Sequence, residues 1–541
     1  MKTMHETDAM HWGEGDVPFV RSFLLLFMLL VLLKSAVQVH VWLPSYNLPY
    51  FYRATPEFLL ILLLLGLAAR FPGARGLLVV STVLCCVLFV FSLGEGITQY
   101  LYRRSLNPAV DFAFFPEFIR LLFESQRGAA IVLYTSAFCI VLGLIFAGIY
   151  TLLRMIVRTF RRGRFPASML GILLAIFTVA WVVPPRTFVP GDALTLRIVR
   201  TMNAKDAGLV RAGRKGEGSE ETGAVEETRR HRNVFLFIIE SYGYTAFAKD
   251  EHFAILGPFF EGVERRLYAS GYRMVSSFLR SPVIGGYSWH ADSTLLTGIR
   301  ISSQQQYEEL LDSDAPTIVS ILNGMNYRTV LCAPGTLKPW PEGERFYGFD
   351  HSMYHVDFDY QGPEFSFVPV PDQYAIHLVH NRFVRIMDRE PVFIEYMLVS
   401  SHAPFNRVPP YVENWELLDD GSIYHELPTL TFKNTWFQGK EYTEGYTAAI
   451  MYVFEVITGY LTEFISDDTL IIVTGDHQPK YPVTDRGQPL SVPVHVLCRD
   501  PALVRSFVGD GYEEGLVPVK PPPHPGLEQF FPQFMALLPD L

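Results

Sequence analysis

Cysteine is scarce in this sequence, and the few cysteines present show no recognisable spacing. There are five among 541 residues, and three of them lie in apolar segments of the first third. The remaining two, Cys332 and Cys498, are too widely separated for a zinc-finger or redox motif. We therefore predict neither a disulfide framework nor a metal cluster of thiolates, and a pairing of Cys332 with Cys498 is left open.

An excess of positive charge is also missing. Lys and Arg together number 45 against 55 Asp and Glu, which gives a formal net charge of −10. This balance argues against a general nucleic-acid-binding protein. The sequence has no internal repeat. No small-residue cleavage site follows the first apolar segment, which argues against a removable signal peptide.

Hydrophobic residues, in contrast, make up 49% of the chain and crowd into its first third. Five apolar segments precede residue 186, and most reach the roughly 17–25 residues that a helix needs to span a bilayer. They are Ser22–Leu43, Phe51–Ala69, Gly76–Leu93, Ala129–Leu153 and Met169–Val183. The sequence therefore predicts a transmembrane domain of about five helices over residues 1–185.

Arginine placement predicts the orientation of these segments. Five arginines lie between residues 154 and 164 with no acidic residue among them, and Arg70 and Arg75 bound the short loop before the third segment. Both loops are expected on the cytoplasmic side under the positive-inside rule. An internal N-terminus and five crossings then place everything after residue 186 outside the cytoplasm.

The remainder of the chain divides into a linker, residues 186–232, and a domain, residues 233–541. Residues 204–232 are rich in Lys, Arg, Glu and Gly, which is typical of a tether. After it, short continuous apolar runs alternate with helical stretches, and this pattern predicts an α/β domain with a largely parallel central sheet. Strands are predicted at Val234–Ile239, Arg328–Cys332, Val392–Met397, Thr469–Val473 and Val492–Cys498, and a helix at Tyr446–Ile465.

A candidate nucleophile lies in the stretch GGYSWHADSTLLTG, which runs from Gly285 to Gly298. Two glycines and a tyrosine lead into Ser288, and we expect the helix opening to cover Ala291–Leu296. A hydroxyl at such a transition can face a substrate while backbone N–H groups point at an incoming anion. The alternative is that Ser288 only caps the helix.

Two of the predicted strands end in groups that suit a metal ion. Glu240 directly follows the first strand, and the pair Asp476-His477 follows the fourth, separated from it by a glycine. Open α/β sheets bind ligands at the carboxyl ends of their strands, and oxygen and nitrogen donors suit zinc or manganese. Taken singly, Glu240 could be a helix cap or surface carboxylate, and Asp476-His477 a loop turn.

Together these residues resemble the sulfatase branch of the alkaline phosphatase superfamily. The chain is most similar to its membrane-bound lipoteichoic acid synthases, phosphoglycerol transferases and phosphoethanolamine transferases, which have five N-terminal transmembrane helices and an extracytoplasmic catalytic domain. The resemblance implies that Ser288 is the nucleophile and that Glu240, Ser288, Asp476 and His477 hold the metal. It also implies that His402, in Ser401-His-Ala-Pro-Phe405, lies near the transferred group, whereas alone it would more often be structural.

The resemblance extends, in a looser register, to substrate binding. Trp340 and Arg345 fall where related synthases bind the headgroup, although Trp340 can equally be a packing residue. His290 and Asp292 replace the proline and arginine of the sulfatase motif, which removes the signal for formylglycine conversion and argues against a true sulfatase. His290 is a further candidate for substrate binding. His290 and Asp292 could instead be ordinary polar positions on a helix.

The function that these residues imply is a metal-dependent transfer of a phospholipid headgroup, phosphoglycerol or phosphoethanolamine, to an envelope glycan or lipid. The transfer would pass through a covalent phosphoserine and use one divalent ion, manganese or zinc. The expected place is the bacterial inner membrane, with several crossings and the catalytic domain on the extracytoplasmic side. A membrane-anchored phosphodiesterase or sulfatase-like hydrolase, and a non-catalytic relative that binds the envelope, are the alternatives.

Overall fold

The computed structural model describes ten stretches of the chain, which form two compact units, Met1–Lys205 and Asp206–Leu541. The described residues are 16–37, 56–71, 75–112, 128–162, 232–385, 390–432, 440–466, 469–508, 511–519 and 521–541. The predicted fifth apolar segment and nearly all of the predicted linker lie outside them. The prediction of five membrane helices, like the predicted domain boundaries, therefore stays a prediction.

The first unit is helical wherever the structure describes it at length. Its helices are α1 (Asp16–Val37), α2 (Pro56–Arg70), α3 (Arg75–Tyr102), α4 (Pro108–Asp111) and α5 (Gly128–Arg162). Four of them overlap the first four predicted apolar segments, and α3 and α5 each extend about nine residues beyond the predicted end. Within the described residues, two stretches are long and apolar enough to cross a membrane, Arg75–Tyr102 and Thr135–Arg161.

The buried face of α3 carries polar side chains that are hydrogen-bonded to the backbone of the helix or of the segment that follows it. The hydroxyls of Ser81 and Thr82 each donate to a carbonyl four residues earlier, at 2.8 Å. Near the end of the helix, the buried Glu95 carboxylate accepts the backbone N–H of Leu106 at 2.8 Å. A polar group in apolar surroundings is costly unless it is bonded, so these contacts make the buried polar face compatible with an apolar environment.

The second unit contains ten short strands and ten helices among its described residues. The strands are β1 (Val234–Ile239), β2 (Arg273–Arg280), β3 (Arg328–Ala333), β4 (His351–Tyr354), β5 (Val392–Leu398), β6 (Arg407–Val408), β7 (Leu430–Thr431), β8 (Leu470–Gly475), β9 (Ser491–Cys498) and β10 (Glu513–Glu514). The helices are α6 (Thr245–Ala248), α7 (Asp250–Ala269), α8 (Ser288–Thr297), α9 (Gln304–Leu311), α10 (Ile318–Gly324), α11 (Pro341–Tyr347), α12 (Asp372–Val379), α13 (Lys440–Glu463), α14 (Pro501–Arg505) and α15 (Phe530–Met535).

Eight of these strands form one sheet in the order β10-β2-β9-β8-β1-β5-β3-β4. The five strands from β8 to β4 run parallel to one another, whereas β9 is antiparallel to β8, and β2 to β9. The predicted α/β domain with a mostly parallel sheet is therefore confirmed, and the antiparallel strands lie along one edge. Strand β2 was not predicted, because Ser276 and Ser277 interrupt its apolar run.

Both faces of the sheet are covered, as expected for a parallel sheet whose strands are continuously apolar. Along β1, Phe235 and Phe237 pack into a core with α7 and α13, whereas Leu236 and Ile238 pack into a second core with α8 and α15. Cys332 and Cys498 are buried free thiols in β3 and β9, so the structure answers the open question of a bridge between them. This sandwich fixes the carboxyl ends of β1 and β8 side by side.

Candidate metal centre

The first two site residues, Glu240 and Asp476, directly follow β1 and β8. In the register of the sheet, Ile239 pairs with Gly475, so the chain leaves both strands at one level. The N–H of Glu240 donates to the carbonyl of Leu398 in β5 (3.2 Å), and that of Asp476 donates to the carbonyl of Ile239 (3.3 Å). The two carboxylates therefore follow adjacent strands and are held by the sheet itself.

A glycine permits the turns after these two strands to approach each other. A Cβ at Gly475 would lie 1.8 Å from the carbonyl oxygen of Tyr242, which is backbone and cannot move aside. The glycine before Asp476 is thus a steric requirement of the site, since any side chain there would push the two strand ends apart.

Three residues of unusual backbone conformation lead into the candidate nucleophile. Gly285, Gly286 and Tyr287 have φ values of +68°, +149° and +63°, a region that glycine enters readily and tyrosine at a cost. The N–H of Gly285 donates to the carbonyl of Gln478 at 2.8 Å, which ties this loop to the end of β8. Helix α8 then begins at Ser288 itself, three residues earlier than the sequence pattern predicts.

Ser288 is half-buried and lies against the predicted ligands. Its hydroxyl donates to Glu240 Oε2 at 3.3 Å and lies 3.4 Å from His477 Nε2. Glu240, Asp476 and His477 each contribute one donor atom to a cluster whose atoms all lie within 4.8 Å of one another. The structure thus brings the four predicted residues to one place, although their roles in metal binding and catalysis remain predictions.

The hydrogen bonding of His477 shows that this cluster fits a cation. Its Nδ1 lies 3.0 Å from the carbonyl of Gln478, and because a carbonyl only accepts, Nδ1 carries the hydrogen. The lone pair on Nε2 then faces Asp476 Oδ2 at 3.4 Å and Glu240 Oε1 at 3.5 Å. These three hydrogen-bond acceptors repel one another unless a positive charge lies among them. Two carboxylate oxygens and one imidazole nitrogen are also ligand atoms that suit a divalent metal ion.

Electrostatics lead to the same conclusion. Burial, together with the neighbouring Glu240 charge, raises the pKa of Asp476 well above its usual range. Burial lowers the pKa of His477, which keeps the imidazole neutral, the form in which it binds metal. A neighbouring negative charge makes a buried carboxyl harder to ionise, so a divalent ion would stabilise the ionised pair.

Two serines that the sequence analysis missed orient the ligands. Ser241 donates from its hydroxyl to Glu240 Oε1 (2.7 Å) and from its N–H to Asp476 Oδ1 (2.9 Å), and it does so with a φ of +59°. Ser401 donates to the backbone carbonyl of Glu240 at 2.6 Å. Outer hydrogen bonds of this kind set the direction of metal ligands. Ser241 could have been suspected because it directly follows Glu240.

His402 lies close enough to the cluster to interact with the charge of Glu240, and its predicted role stays a prediction. Its Nδ1 donates to the carbonyl of Ala403 at 2.5 Å, and its ring stacks on Phe367 with the centroids 3.8 Å apart. Burial lowers the pKa of His402, while the nearby charge of Glu240 acts in the opposite direction. Because Nδ1 carries the hydrogen, Nε2 is the nitrogen that can accept a proton.

The predicted substrate-binding residues separate into two groups. His290 is buried, with Nε2 3.4 Å from Gln304 Oε1 and its ring against Tyr307. Trp340 stacks on the same Tyr307 at 6.3 Å, so both belong to one aromatic cluster that adjoins Ser288 along α8. Arg345 instead lies exposed on α11, and its predicted role in substrate binding stays a prediction.

Two further polar residues, His495 in β9 and Asp292 on α8, are buried away from solvent. His495 accepts from the Tyr242 hydroxyl (3.0 Å) and donates to Ser276 Oγ (2.7 Å), which in turn donates to a carbonyl, so its nitrogens are satisfied inside the fold. Asp292 is buried on α8, and neither of its carboxylate oxygens has a hydrogen-bond partner among the described residues. Burial raises the pKa of Asp292 well above its ordinary value.

Comparison with known proteins gives matches to one family and to several solved structures. Residues 285–506 match the family model described as Sulfatase, a range that includes Ser288, His402, Asp476 and His477 but begins after Glu240. Among curated proteins, none matches the chain significantly.

Three of the similar structures illustrate the range. The lipoteichoic acid synthase LtaP from Listeria monocytogenes is 16% identical, with a TM-score of 0.34, over 50% of this chain and 65% of its own. The C-terminal periplasmic domain of EcEptC from Escherichia coli is 12% identical, with a TM-score of 0.38, over 58% and 83%. The phosphoglycerol transferase GacH from Streptococcus pyogenes, in complex with sn-glycerol-1-phosphate, is 13% identical, with a TM-score of 0.35, over 51% and 70%.

This chain thus spans less than two thirds of the length of the Listeria structure, and at such identities the likenesses carry no conclusion about activity. The family match falls on the segment that contains the nucleophile loop and the Asp-His pair. Residues 285–506 are therefore identified as the part of the chain that matches the sulfatase family model.

Proposed function

We propose that this protein is a metal-dependent phosphotransferase that moves a phospholipid headgroup, phosphoglycerol or phosphoethanolamine, to a glycan or lipid of the cell envelope. The observation that carries the proposal is the position of the Ser288 hydroxyl, 3.3 Å from Glu240 Oε2 and 3.4 Å from His477 Nε2. A nucleophile that touches two groups of a metal-binding cluster is the arrangement that nucleophilic phosphoryl transfer requires.

Glu240, Asp476 and His477, with Ser288, would hold one divalent ion, manganese or zinc. When bound, such an ion lowers the pKa of a hydroxyl beside it and withdraws charge from a phosphoryl oxygen. The protein supplies the remaining organisation. Ser241 and Ser401 direct Glu240 towards the cluster, and the Gln478 carbonyl keeps the hydrogen of His477 on the nitrogen that faces away.

In the first step, Ser288 Oγ attacks the phosphorus of the donor in line. A bond forms between Oγ and phosphorus, and the bond from phosphorus to the lipid oxygen breaks. The Ser288 proton passes to Glu240, which already accepts its hydrogen bond, and from there to the departing lipid oxygen, which leaves as the hydroxyl of a neutral lipid. The product on the enzyme is a phosphoserine that carries the headgroup.

In the second step, an acceptor hydroxyl attacks the phosphoserine. A new bond forms between phosphorus and the acceptor oxygen, the bond to Ser288 Oγ breaks, and Ser288 Oγ takes up the proton that the acceptor hydroxyl loses. His402 is the group that we assign to the acceptor proton, because its Nδ1–H is held by a carbonyl and Nε2 remains able to accept.

A lipid donor follows from the membrane segments and from the family resemblance of the motifs. An enzyme tethered to a bilayer meets lipids at a high effective concentration, and stretches of the described chain are long and apolar enough for such an anchor. We propose several crossings of the bacterial inner membrane, with the catalytic domain on its extracytoplasmic side, as the arginine distribution predicts.

The test is headgroup turnover by the purified full-length protein with labelled phosphatidylglycerol or phosphatidylethanolamine and manganese or zinc. Ser288→Ala should abolish release of the neutral lipid, while Ser302→Ala, a matched change at an exposed serine, should not. Equal turnover in both variants would exclude Ser288 as the nucleophile. Release of free headgroup without transfer would identify a hydrolase, and intact binding of metal without turnover would favour the non-catalytic alternative.

A further inference from the structure

We propose that Asp372 is a positioning residue that holds the His402 loop in place for proton transfer, an inference that rests on the proposed function of His402. Asp372 is the first residue of α12, 30 positions before His402 in the chain. It is fully buried, and no motif of the family resemblance includes it.

The Asp372 carboxylate is bonded to the backbone of the segment that follows β5. Its Oδ1 accepts the N–H of Val399 at 2.8 Å, and its two oxygens share the N–H of Ser400 at 3.2 and 3.1 Å. In return, the N–H of Asp372 donates to Ser400 Oγ at 3.0 Å. The Asp372 side chain thus fixes the peptide N–H groups of Val399 and Ser400. The backbone N–H of Asp372 in turn fixes the Ser400 side chain.

The segment that these bonds hold leads directly into the candidate site. The N–H of His402 donates to the carbonyl of Val399 at 3.0 Å, and Ser401 donates to the carbonyl of Glu240. The turn that Asp372 clamps therefore carries one residue that anchors a metal ligand and another that faces the cluster. A change in this turn would move both the His402 ring and its stacking contact with Phe367.

The chemistry of a carboxylate is specific to this task. Both of its oxygens accept, whereas an amide of the same shape offers one acceptor and one donor, which would oppose an N–H of the turn. Burial raises the pKa of Asp372 to about 7, while the bonds from Val399 and Ser400 act in the opposite direction. The N-terminus of α12 also favours a negative charge at this position.

The next residue provides a matched control. Gln373 is equally buried on α12, but its amide bonds to the backbone of Val412, accepting at 2.9 Å and donating at 2.7 Å. It holds a different loop through two hydrogen bonds of its side chain. A variant of Gln373 therefore reports the general cost of losing a buried clamp on this helix, separate from any effect on His402.

The experiment compares Asp372→Asn, Ser400→Ala and Gln373→Met in the full-length protein with labelled phosphatidylglycerol or phosphatidylethanolamine and manganese. We expect Asp372→Asn to lower kcat about 10- to 100-fold, as loss of an outer hydrogen bond in a metal site typically does, with KM little changed. Gln373→Met should leave kcat near the wild-type value. In a His402→Gln background the Asp372 change should cost little more, since coupled residues are not additive. Equal losses with and without His402 would overturn the proposal.

A readout independent of activity is the rate at which diethyl pyrocarbonate modifies His402, followed by mass spectrometry of its peptide. We expect that rate to change at least severalfold in Asp372→Asn and to stay unchanged in Gln373→Met. If Asp372→Asn fails to fold, Ser400→Ala replaces it, because it removes one bond and leaves the carboxylate. An unchanged His402 rate in the folded variant contradicts the proposal. If the wild type turns over neither lipid, the proposed function fails, and this rate still decides the role of Asp372.

Discussion

On one side of Ser288 the side chains are held by directional hydrogen bonds, and on the other side they are held by aromatic packing. The ligand side consists of Glu240, Asp476 and His477, each oriented by backbone or serine contacts. The aromatic side consists of rings that touch at centroid distances of 4.8–6.4 Å, with Trp289 and Trp340 half-exposed at its ends.

We expect the two sides to contribute to different steps, one to the reaction and the other to substrate binding. A reaction at phosphorus needs groups fixed to within a fraction of an ångström, and the ligand side supplies that precision from the ends of a rigid sheet. Recognition of a headgroup or acceptor needs shape and contact area, which rings supply with few directional bonds. Changes on the ligand side should therefore affect kcat, and changes on the aromatic side should affect KM.

The largest effect is expected from removal of the metal. Chelation should abolish turnover, and returning manganese or zinc should restore it. The returned ion should also raise Tm, because a free ion concentration of 100 times the Kd stabilises the folded state by about 2.7 kcal/mol. In His477→Asn the rise in Tm should disappear. A chelated protein that keeps full activity would show that the ligand side is not a metal centre.

The next largest effect is expected at Gly475. A Cβ there meets the Tyr242 carbonyl at 1.8 Å, so Gly475→Ala should lower the free energy of unfolding by roughly 3 kcal/mol and weaken metal binding. Gly324→Ala is the control, because a Cβ at Gly324 meets nothing within 4 Å. Chemical denaturation measures both. Similar stability of the two variants would mean that the strand ends tolerate separation.

A smaller effect is expected on the aromatic side. Trp340→Ala should raise KM for the lipid about tenfold and leave kcat within about threefold of wild type, because the ligand side is unchanged. Arg345→Ala, at an exposed position of α11, which Trp340 directly precedes, should change KM less. Steady-state kinetics of both variants measure these effects. If Trp340→Ala lowers kcat as much as a change in Glu240, Asp476 or His477 does, the two sides do not differ in their roles.

The last effect is on the pH dependence of stability rather than on turnover, and it concerns Glu395, a buried residue of β5 near Asp292. Burial raises its pKa to about 8, so the folded state holds a proton that the unfolded state releases near pH 4.5. Its contribution to stability therefore falls as pH rises from about 4.5 to 8, by at most about 1.4 kcal/mol per pH unit. Glu395→Gln should flatten this fall in unfolding free energy, whereas Glu416→Gln, at an exposed position, should not.

The candidate site residues that directly follow a strand were the ones that could be located from the sequence. The run Val234–Ile239 is buried on both faces, so it was recognisable as a strand, and the residue after it was recognisable as a ligand candidate. The same reasoning located Asp476 and His477. Ser288 was found from its glycines, whose positive φ values the structure contains.

What could not be predicted depends on contacts between distant backbone segments. Asp372 acts on peptide units 27 and 28 residues away, and no local pattern marks such a pairing. Strand β2 exists because it pairs with β9, where Ser276 lies opposite His495, although its own sequence is interrupted by serines. Tertiary partners override local pattern at both places.

The central claim is that Ser288 forms a covalent bond to the headgroup, and mass spectrometry of the Ser288 peptide tests it most directly. The full-length protein would be incubated with mixed bacterial phospholipids and manganese or zinc, then digested. We expect a phosphoglycerol or phosphoethanolamine adduct on Ser288 that is absent in Glu240→Gln. Turnover of either lipid with Ser288 unmodified under rapid quenching would contradict it.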